Sequence, residues 1–279
     1  MKRTKSFESP YILYLISTPI GNLAEMNPRA LKTIEEMDII AAEDTRNSGL
    51  LLNHFGIKKE MFSLREHNEA EASQKLISLI KQGKKIAYMS DAGYPGISDP
   101  GYILVKTAIE NDIAVSVING SCAFITALVA SGLPTDHFYF YGFLPPKENE
   151  AKSVLEELKV RKETIIFYEA PHRIEKTIKL MQSVLGNREA VIARELTKIN
   201  EEYVRGNLDE LKDMDFSSLK GEMVIVIKGQ EEDNQVDENA IKNRLKYFID
   251  KGLSKKDAIE VVSDEFKINK NIVYKLAIE

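Results

Sequence analysis

Four stretches hold most of the residues whose types and spacing could do chemistry. The longest is Ser90-Asp91-Ala92-Gly93-Tyr94-Pro95-Gly96-Ile97-Ser98-Asp99-Pro100-Gly101, which follows the apolar run Ile86-Ala87-Tyr88-Met89. A strand, a glycine-rich bend and a helix opened by Asp99 as cap, with Pro100 at its first position, describe the carboxyl edge of an open α/β sheet. Such edges bind ligands. The spacing matches neither the dinucleotide fingerprint nor the lysine-bearing phosphate loop. Asp91 would repel a phosphate, so the expected ligand presents hydroxyls or cationic groups. Glu43-Asp44-Thr45-Arg46 sets three charges at another strand end. Acids there suit a helix dipole, and the same residues could equally face a substrate. In Phe167-Tyr168-Glu169-Ala170-Pro171-His172-Arg173 the two cations stand at a helix start and oppose the dipole, a conflict that a phosphate backbone would relieve. Arg194-Glu195-Leu196-Thr197-Lys198 follows a further strand end. With Lys147 and Lys152 these cations form either a positive rim or a solvated charged face.

Other chemistries find little support. Cys122, the single cysteine, has no histidine near it in sequence and excludes an intramolecular disulfide, which points to a reducing, cytoplasmic setting. His54, His67, His137 and His172 lack metal-ligand spacing, and no metal is expected. Ser90, Ser98 and Ser121 lack the glycine-serine-glycine elbow of a hydrolase. The formal charge of -5 argues against bulk coating of nucleic acid but leaves room for a local basic patch. No stretch reaches the length of a membrane span.

The elements that must position these residues read as an α/β chain of 279 residues. Residues 1–10 form a disordered basic tip. Residues 11–132 alternate strands and helices into a largely parallel sheet, whose strand ends carry Thr18–Asn22, Glu43–Arg46, Asp91–Gly101 and Asn119–Ala123. Thr45 is read as the cap of one helix, and Pro171 as the start of another. Gly132-Leu133-Pro134 breaks the alternation. Residues 133–229 form a second α/β domain with a mixed sheet, residues 230–236 a polar linker, and residues 237–279 a tail of three short helices. The tail is either a helix-turn-helix-like module or a packed appendage.

These stretches, together with Thr18-Pro19-Ile20-Gly21-Asn22-Leu23, resemble the signature set of the ribosomal RNA small subunit methyltransferase I family, in the tetrapyrrole methylase superfamily. The resemblance implies two α/β domains with a cleft between them for S-adenosylmethionine, and a homodimer. It implies 2'-O-methylation of a cytidine in the decoding region of small-subunit ribosomal RNA. By motif, Pro19, Asp91, Ala92, Gly93, Ile97, Cys122, Ala123, Tyr168 and Ala193 would hold the donor. Glu43, Asp44 and Glu195 are the candidate bases, with Arg46 or Lys198 orienting phosphates, and His172, Arg173, Arg194 and Lys147 would face RNA. Two positions depart from the family pattern, Asn119 where proline is usual and Tyr94 where threonine is common. The rival readings are a relative that methylates a tetrapyrrole or a diphthine-type protein residue, and a non-catalytic RNA-binding assembly factor.

Overall fold

The computed structural model describes residues 5–217, 219–231, 238–266 and 268–278. The chain divides into two compact units, Met1–Gln230 and Glu231–Glu279.

The first unit begins with β1 (Ile12–Ile16), α1 (Pro28–Glu36), β2 (Ile39–Ala42), α2 (Thr45–His54) and β3 (Glu60–Ser63). It continues with α3 (Glu69–Lys81), β4 (Ile86–Met89), α4 (Tyr102–Glu110), β5 (Ala114–Ile118) and α5 (Ala123–Ser131). The strands form a parallel sheet in the order β3-β2-β4-β1-β5. Both central strands, β2 and β4, are wholly buried, as apolar runs between two helix layers should be. The edge strand β3 has no counterpart in the sequence reading. Its Glu-Met-Phe-Ser is only partly buried and carries no clear period.

Of the expected basic tip, residues 1–4 lie outside the described residues. Ser6–Glu8 make one 3-10 turn, and the Ser6 hydroxyl donates to the Val115 carbonyl on β5 (3.1 Å). Two helix starts also differ from expectation. The cap of α2 is Asp44, whose carboxylate accepts from the Arg46 N–H, because Thr45 already lies inside the helix. At α4 neither Asp99 nor Pro100 opens the helix. Gly101 stands at the cap with φ +143, and the acceptor comes from a distant residue, Glu69.

The second half of the unit runs β6 (Phe138–Phe143), α6 (Glu148–Leu158), β7 (Thr164–Glu169), α7 (Ile174–Leu185), β8 (Glu189–Arg194), β9 (Glu202–Asn207), α8 (Leu208–Lys212) and β10 (Met223–Ile227). The sheet order is β6-β7-β10-β8-β9, with β6 parallel to β7 and the other pairs antiparallel. The mixed character matches expectation. The last strand in the chain, β10, sits in the centre and is buried at all five positions. The helix α7 opens at Ile174 rather than Pro171, which leaves His172 and Arg173 just ahead of it.

One boundary shifts in physical terms. α5, read as part of the first domain, packs its Ala127 and Leu128 on Ile166, Val191, Ala193, Val224 and Val226 of the second sheet. The two sheets are thus joined through α5 and form a single unit. Of the expected linker, residues 232–236 lie outside the described residues. The tail unit holds α9 (Glu238–Asp250), α10 (Lys255–Phe266) and α11 (Lys270–Leu276) around Ile241, Leu245, Ala258, Ile259, Val262, Val273 and Leu276. Among the described residues no helix is long and apolar enough to cross a membrane.

Candidate active site

The stretch after β4 folds back on itself. The Gly96 N–H donates to the Pro100 carbonyl (3.0 Å), closing a small loop that carries only Ile97, Ser98 and Asp99. The Tyr88 hydroxyl holds the same carbonyl from below (2.9 Å). Glu69 Oε1 accepts from the N–H groups of Gly101 (2.8 Å) and Ile103 (2.9 Å). A Cβ on Gly101 would lie 2.9 Å from the Gly96 nitrogen, so the crossing requires glycine. Ser98 takes φ +62, an uncommon conformation for a residue with a side chain. The loop is therefore pinned at its base and strained at its tip.

Neighbouring strand ends are tied to it. Thr18 and Gly93 exchange backbone hydrogen bonds (2.9 and 3.1 Å), and the Thr18 hydroxyl donates to the Ser90 carbonyl. The Gly120 N–H donates to the Tyr94 hydroxyl (3.2 Å), so the tyrosine that departs from the family pattern links two loops. Asn119, the other departure, accepts through its carbonyl from the Asn27 side chain. Asp91 accepts from the Asp44 N–H (3.3 Å) and from Asn47 Nδ2 (2.7 Å).

The second sheet closes the other side. A Cβ on Gly21 would meet Lys198 Cγ at 2.7 Å and the Leu196 carbonyl at 3.2 Å, so the loop after β1 abuts the loop after β8. That latter loop holds Glu195 at φ +51 and Thr197 at φ +67. For a β-branched residue this is an outlier of the kind that collects at functional sites. Lys198 Nζ pairs with Glu195 Oε1 (2.9 Å). Gly221, at φ +80, makes room for that carboxylate, which a Cβ there would approach to 2.1 Å. Behind lies an aromatic wall: Phe124 stacks on Phe140 (4.3 Å between centroids), and Phe140 and Phe143 flank Tyr168 (4.9 and 5.5 Å).

Between these walls lies a cavity of about 410 Å³, within the range of small-ligand sites. One side presents Asp91, Gly93, Ile97 and Asp99. The other presents Tyr168, Glu195, Lys198 and Glu222. Carboxylates dominate its field. Burial first, then Glu43, Asp91 and Glu222, push the Asp99 carboxyl up to about 7. Burial first, then Asp91, Asp44 and Glu66, raise Glu43, and burial raises the phenols of Tyr88 and Tyr168. Burial also raises the Cys122 thiol, which keeps it neutral and agrees with its dismissal as a nucleophile. Lys198 is the one cation on the cavity wall among the described residues. The arrangement favours a ligand that brings positive charge and a flat apolar group.

Of the residues expected to hold a donor, Asp91, Ala92, Gly93, Ile97, Cys122, Ala123 and Tyr168 line the cavity. Pro19 and Ala193 do not. Pro19 is buried beside Ile20, which takes its place on the wall, and Ala193 is buried in the second sheet directly across from Val224, whose other partner is Tyr168. Of the candidate catalytic residues, Glu195 and Lys198 line the cavity, whereas Glu43, Asp44 and Arg46 do not. Asp44 is committed to capping α2 and to Arg46 (2.6 Å), which holds it well below the usual carboxylate range. Arg46 itself remains exposed.

The basic rim is smaller than the composition allows. Arg173 donates to the carbonyls of Leu144 (3.0 Å) and Pro145 (3.2 Å) and pairs with Glu169 (3.4 Å), which is 1% exposed. Thr177 and the Ala170 N–H complete the shell of that carboxylate. The stretch that looked like an anion-seeking helix start is in large part an internal clamp. Arg194 pairs with Glu202, and Lys147 pairs with Glu150 on the surface, while His172 is exposed.

Several wall residues escaped the sequence reading: Ile20, Phe143 and the run Gly221-Glu222-Met223-Val224. A signal for the run existed, since a glycine and an acid precede a strongly apolar strand. Because β10 is antiparallel to β7 and β8, its beginning lies beside their ends, with Met223 opposite both Glu169 and Arg194.

Comparison with known proteins identifies the family and the fold. The family model described as Tetrapyrrole (Corrin/Porphyrin) Methylases matches residues 12–212. The protein named ribosomal RNA small subunit methyltransferase I from Streptococcus pyogenes is 43% identical over 277 residues, which covers 98% of this chain and 96% of that one. Its namesake from Haemophilus influenzae is 44% identical over 274 residues, covering 96% of each. Among solved structures, the methyltransferase CobJ superposes with a TM-score of 0.60 at 15% identity, covering 79% of this chain and 95% of that one. Uroporphyrin-III-C-methyltransferase from Thermus thermophilus gives 0.56 at 17% identity, covering 78% and 94%. At such identities the structural likeness concerns the fold alone.

Proposed function

The chain belongs to the ribosomal RNA small subunit methyltransferase I family of the tetrapyrrole methylase superfamily, and from that premise we propose that it methylates small-subunit ribosomal RNA with S-adenosylmethionine as donor. The acceptor in this reading is the ribose 2'-hydroxyl of a cytidine in the decoding region. The protein acts in the cytoplasm as a homodimer. The observation that carries the reading is the cavity: near-full-length relatives bear this name, and at the strand ends of the first sheet stands a pocket that suits a cationic donor.

The residues present fit such a donor. Asp91 and Asp99 offer carboxylates to an ammonium and to ribose hydroxyls, and Tyr168 and Phe143 offer a flat apolar surface. When bound, S-adenosylmethionine supplies an electrophilic methyl group on a positively charged sulfur. The chain's own part is to position and to exclude water. The pinned loop from Gly96 to Pro100 and the Thr18–Gly93 bridge hold the donor side rigid, and holding two reactants in line can supply much of the acceleration. The exposed side chains of Arg46, Lys147, His172 and Lys198 are proposed to meet the RNA, with Arg173 and Arg194 shaping the surface from within.

Titration calorimetry with S-adenosylmethionine tests the first half of the reading. No detectable binding would sink it and favour a non-catalytic assembly factor. Mass mapping of small-subunit RNA from cells lacking the protein tests the second: one ribose methyl should disappear and return on complementation. An intact methylation pattern would refute the RNA assignment.

A further inference from the structure

We propose that a lysine-lined groove on the tail unit is a docking site for a single-stranded stretch of the RNA substrate; the inference rests on the ribosomal RNA reading above. An acidic enzyme must grip a polyanion somewhere. Residues 1–230 hold 29 lysines and arginines against 32 acids. Among the described residues the cavity wall carries Lys198 as its one cation, and Glu195 pairs with it. Arg173 and Arg194 are engaged by Glu169 and Glu202. Residues 237–279 reverse the balance, with nine cations against eight acids, and gather several of them at one place.

That place is a groove of about 340 Å³ between α10 and α11, wholly within the tail unit. Lys255, Lys256, Ile259 and Glu260 line it from α10, and Lys270 and Tyr274 from α11. Each set spans one turn of its helix, so its members share a face. Ile259 is buried among Val262, Val273 and Leu276 in the tail's own core. Lys270 bridges the helices to Glu260 and holds that carboxyl below its ordinary range, so the groove's one acid is already answered. Beyond a through-space attraction of Lys256 to Glu260, the exposed Lys255 and Lys256 have no hydrogen-bond or ion-pair partner among the described residues. The acid nearest to them in the chain, Asp257, accepts from the Ser254 hydroxyl (2.6 Å). The turn that sets α11 against α10 is fixed as well. Asn269 caps α11 at the Asn271 N–H (2.9 Å), and the Ser263 hydroxyl donates to the Ile268 carbonyl (2.5 Å).

Phosphates and unstacked bases are what this lining recognises. Lysine ammonium groups attract backbone phosphates whatever the sequence. The Tyr274 ring, 55% exposed, offers a face on which a base can stack. A duplex keeps its bases stacked inside and would leave that ring unused, whereas a single strand engages ring and lysines together. An apolar helix of a partner protein would have to cover three ammonium groups without answering them. The lining thus complements a polyanion with accessible bases, and in the reading above the polyanion at hand is the RNA substrate.

The test uses the full chain and an oligouridine of about 16 nucleotides, read by fluorescence anisotropy. Lys255→Ala combined with Lys256→Ala should weaken binding about fivefold at low salt. It should also flatten the slope of log affinity against log salt by about 1.4, two single-strand phosphates at about 0.7 each. Tyr274→Ala should weaken binding about fivefold at an unchanged salt slope, and Tyr274→Phe, which keeps the ring, should bind as wild type. These side chains are exposed, so melting temperature and donor affinity should hold in every variant. Lys246→Ala, on α9 and outside the groove, should change nothing. On small ribosomal subunits from cells lacking the protein, the groove variants should raise KM about fivefold and leave kcat unchanged, as loss of uniform binding requires. Unchanged oligouridine affinity in the lysine and tyrosine variants overturns the proposal. A Lys246→Ala loss as large as theirs also overturns it, since attraction would then be diffuse, and so does a duplex of equal length bound as tightly as the single strand. Wild-type protein that methylates no ribose on those subunits would remove the underlying reading and the proposal with it. Intact methylation with groove variants that bind as wild type removes the groove alone.

Discussion

Glu69 offers a sharp test of how the site is held. It is the first residue of α3, yet it is 7% exposed because its carboxylate turns inward. One oxygen, Oε1, accepts from Gly101 (2.8 Å), Ile103 (2.9 Å) and Leu104 (3.4 Å), the opening N–H groups of α4. Glu69→Ala strips that turn of its acceptor. A lost cap costs about 0.5–2 kcal/mol, and hydrogen bonds to a charged group run to about 1.5–3 kcal/mol each. The three share one atom and the third is long, so they do not add; about 3 kcal/mol is expected. Chemical denaturation should show a lower midpoint at unchanged slope. Below the transition, donor affinity should fall about tenfold, or about 1.4 kcal/mol, since the loop bearing Ile97 and Asp99 is anchored through Gly101. Glu69→Gln retains an acceptor oxygen and should lose less than about 1 kcal/mol. If the alanine variant lies within 0.5 kcal/mol of wild type, or the two variants behave alike, the anchoring argument is wrong.

Other outcomes follow from the same geometry. Gly221→Ala drives a Cβ into Glu195 at a φ of +80; a loss of about 1–3 kcal/mol by thermal melting and weaker donor binding are expected, and normal values for both would show that the Glu195–Lys198 pair is dispensable. Arg173→Ala leaves Glu169 buried with only Thr177 and Ala170 as partners; it should cost about 2–4 kcal/mol, less than a bare buried charge, and a fully stable variant would return Arg173 to the pool of RNA contacts. For Asp99 the folded carboxyl stands at about 7 against an ordinary 3.8. The favourable neutral form is fully present below about 3.8 and is lost as pH rises through about 7. At 1.36 kcal/mol per pH unit the ceiling is about 4 kcal/mol, and solvent access lowers this to about 2. Asp99→Asn should therefore match wild type at pH 4 and exceed it by that amount at pH 8; parallel melting curves across pH would contradict the buried charge. Truncation after Gln230 removes a separate unit; donor affinity should hold within twofold while RNA affinity drops about tenfold and its salt slope lessens, and unchanged RNA binding would make the tail an appendage.

Most of the fold was legible because its signals are local. Buried strands such as Ile86–Met89 are short apolar runs closed by glycine or acid, and the parallel half follows from their alternation with helices. What escaped was set by contacts across the chain. The cap of α4 could not be read from Asp99-Pro100, because the acceptor sits 32 residues earlier on α3. Arg173 looked like an anion seeker because the carbonyls of Leu144 and Pro145, which satisfy it, lie 29 and 28 residues upstream. The boundary at Gly132 marks a real break in pattern, but the apolar face of α5 belongs to the second sheet, which no local pattern records.

The site shows where strand-end reasoning reaches its limit. In a parallel sheet every strand delivers its carboxyl end to one edge, so the loops after β1, β2, β4 and β5 could be grouped from sequence alone. The second sheet breaks the rule at two strands, β9 and β10, and the start of β10 reaches the cavity. With β10 antiparallel between β7 and β8, the residues that join their carboxyl ends at the cavity come from the start of β10, not its end. Gly221, Glu222 and Met223 therefore face the cleft beside Tyr168 and Glu195. A central strand that arrives last in the chain and runs the opposite way adds both the glycine that admits Glu195 and a carboxylate that helps to hold Asp99 protonated. The chemistry of the parallel half thus depends on the direction of one strand in the mixed half. Removing that carboxylate with Glu222→Gln should lower the pH at which the Asp99 carboxyl loses its favourable neutral form, read from melting temperature against pH, and an unmoved profile would show that Glu222 does not reach Asp99.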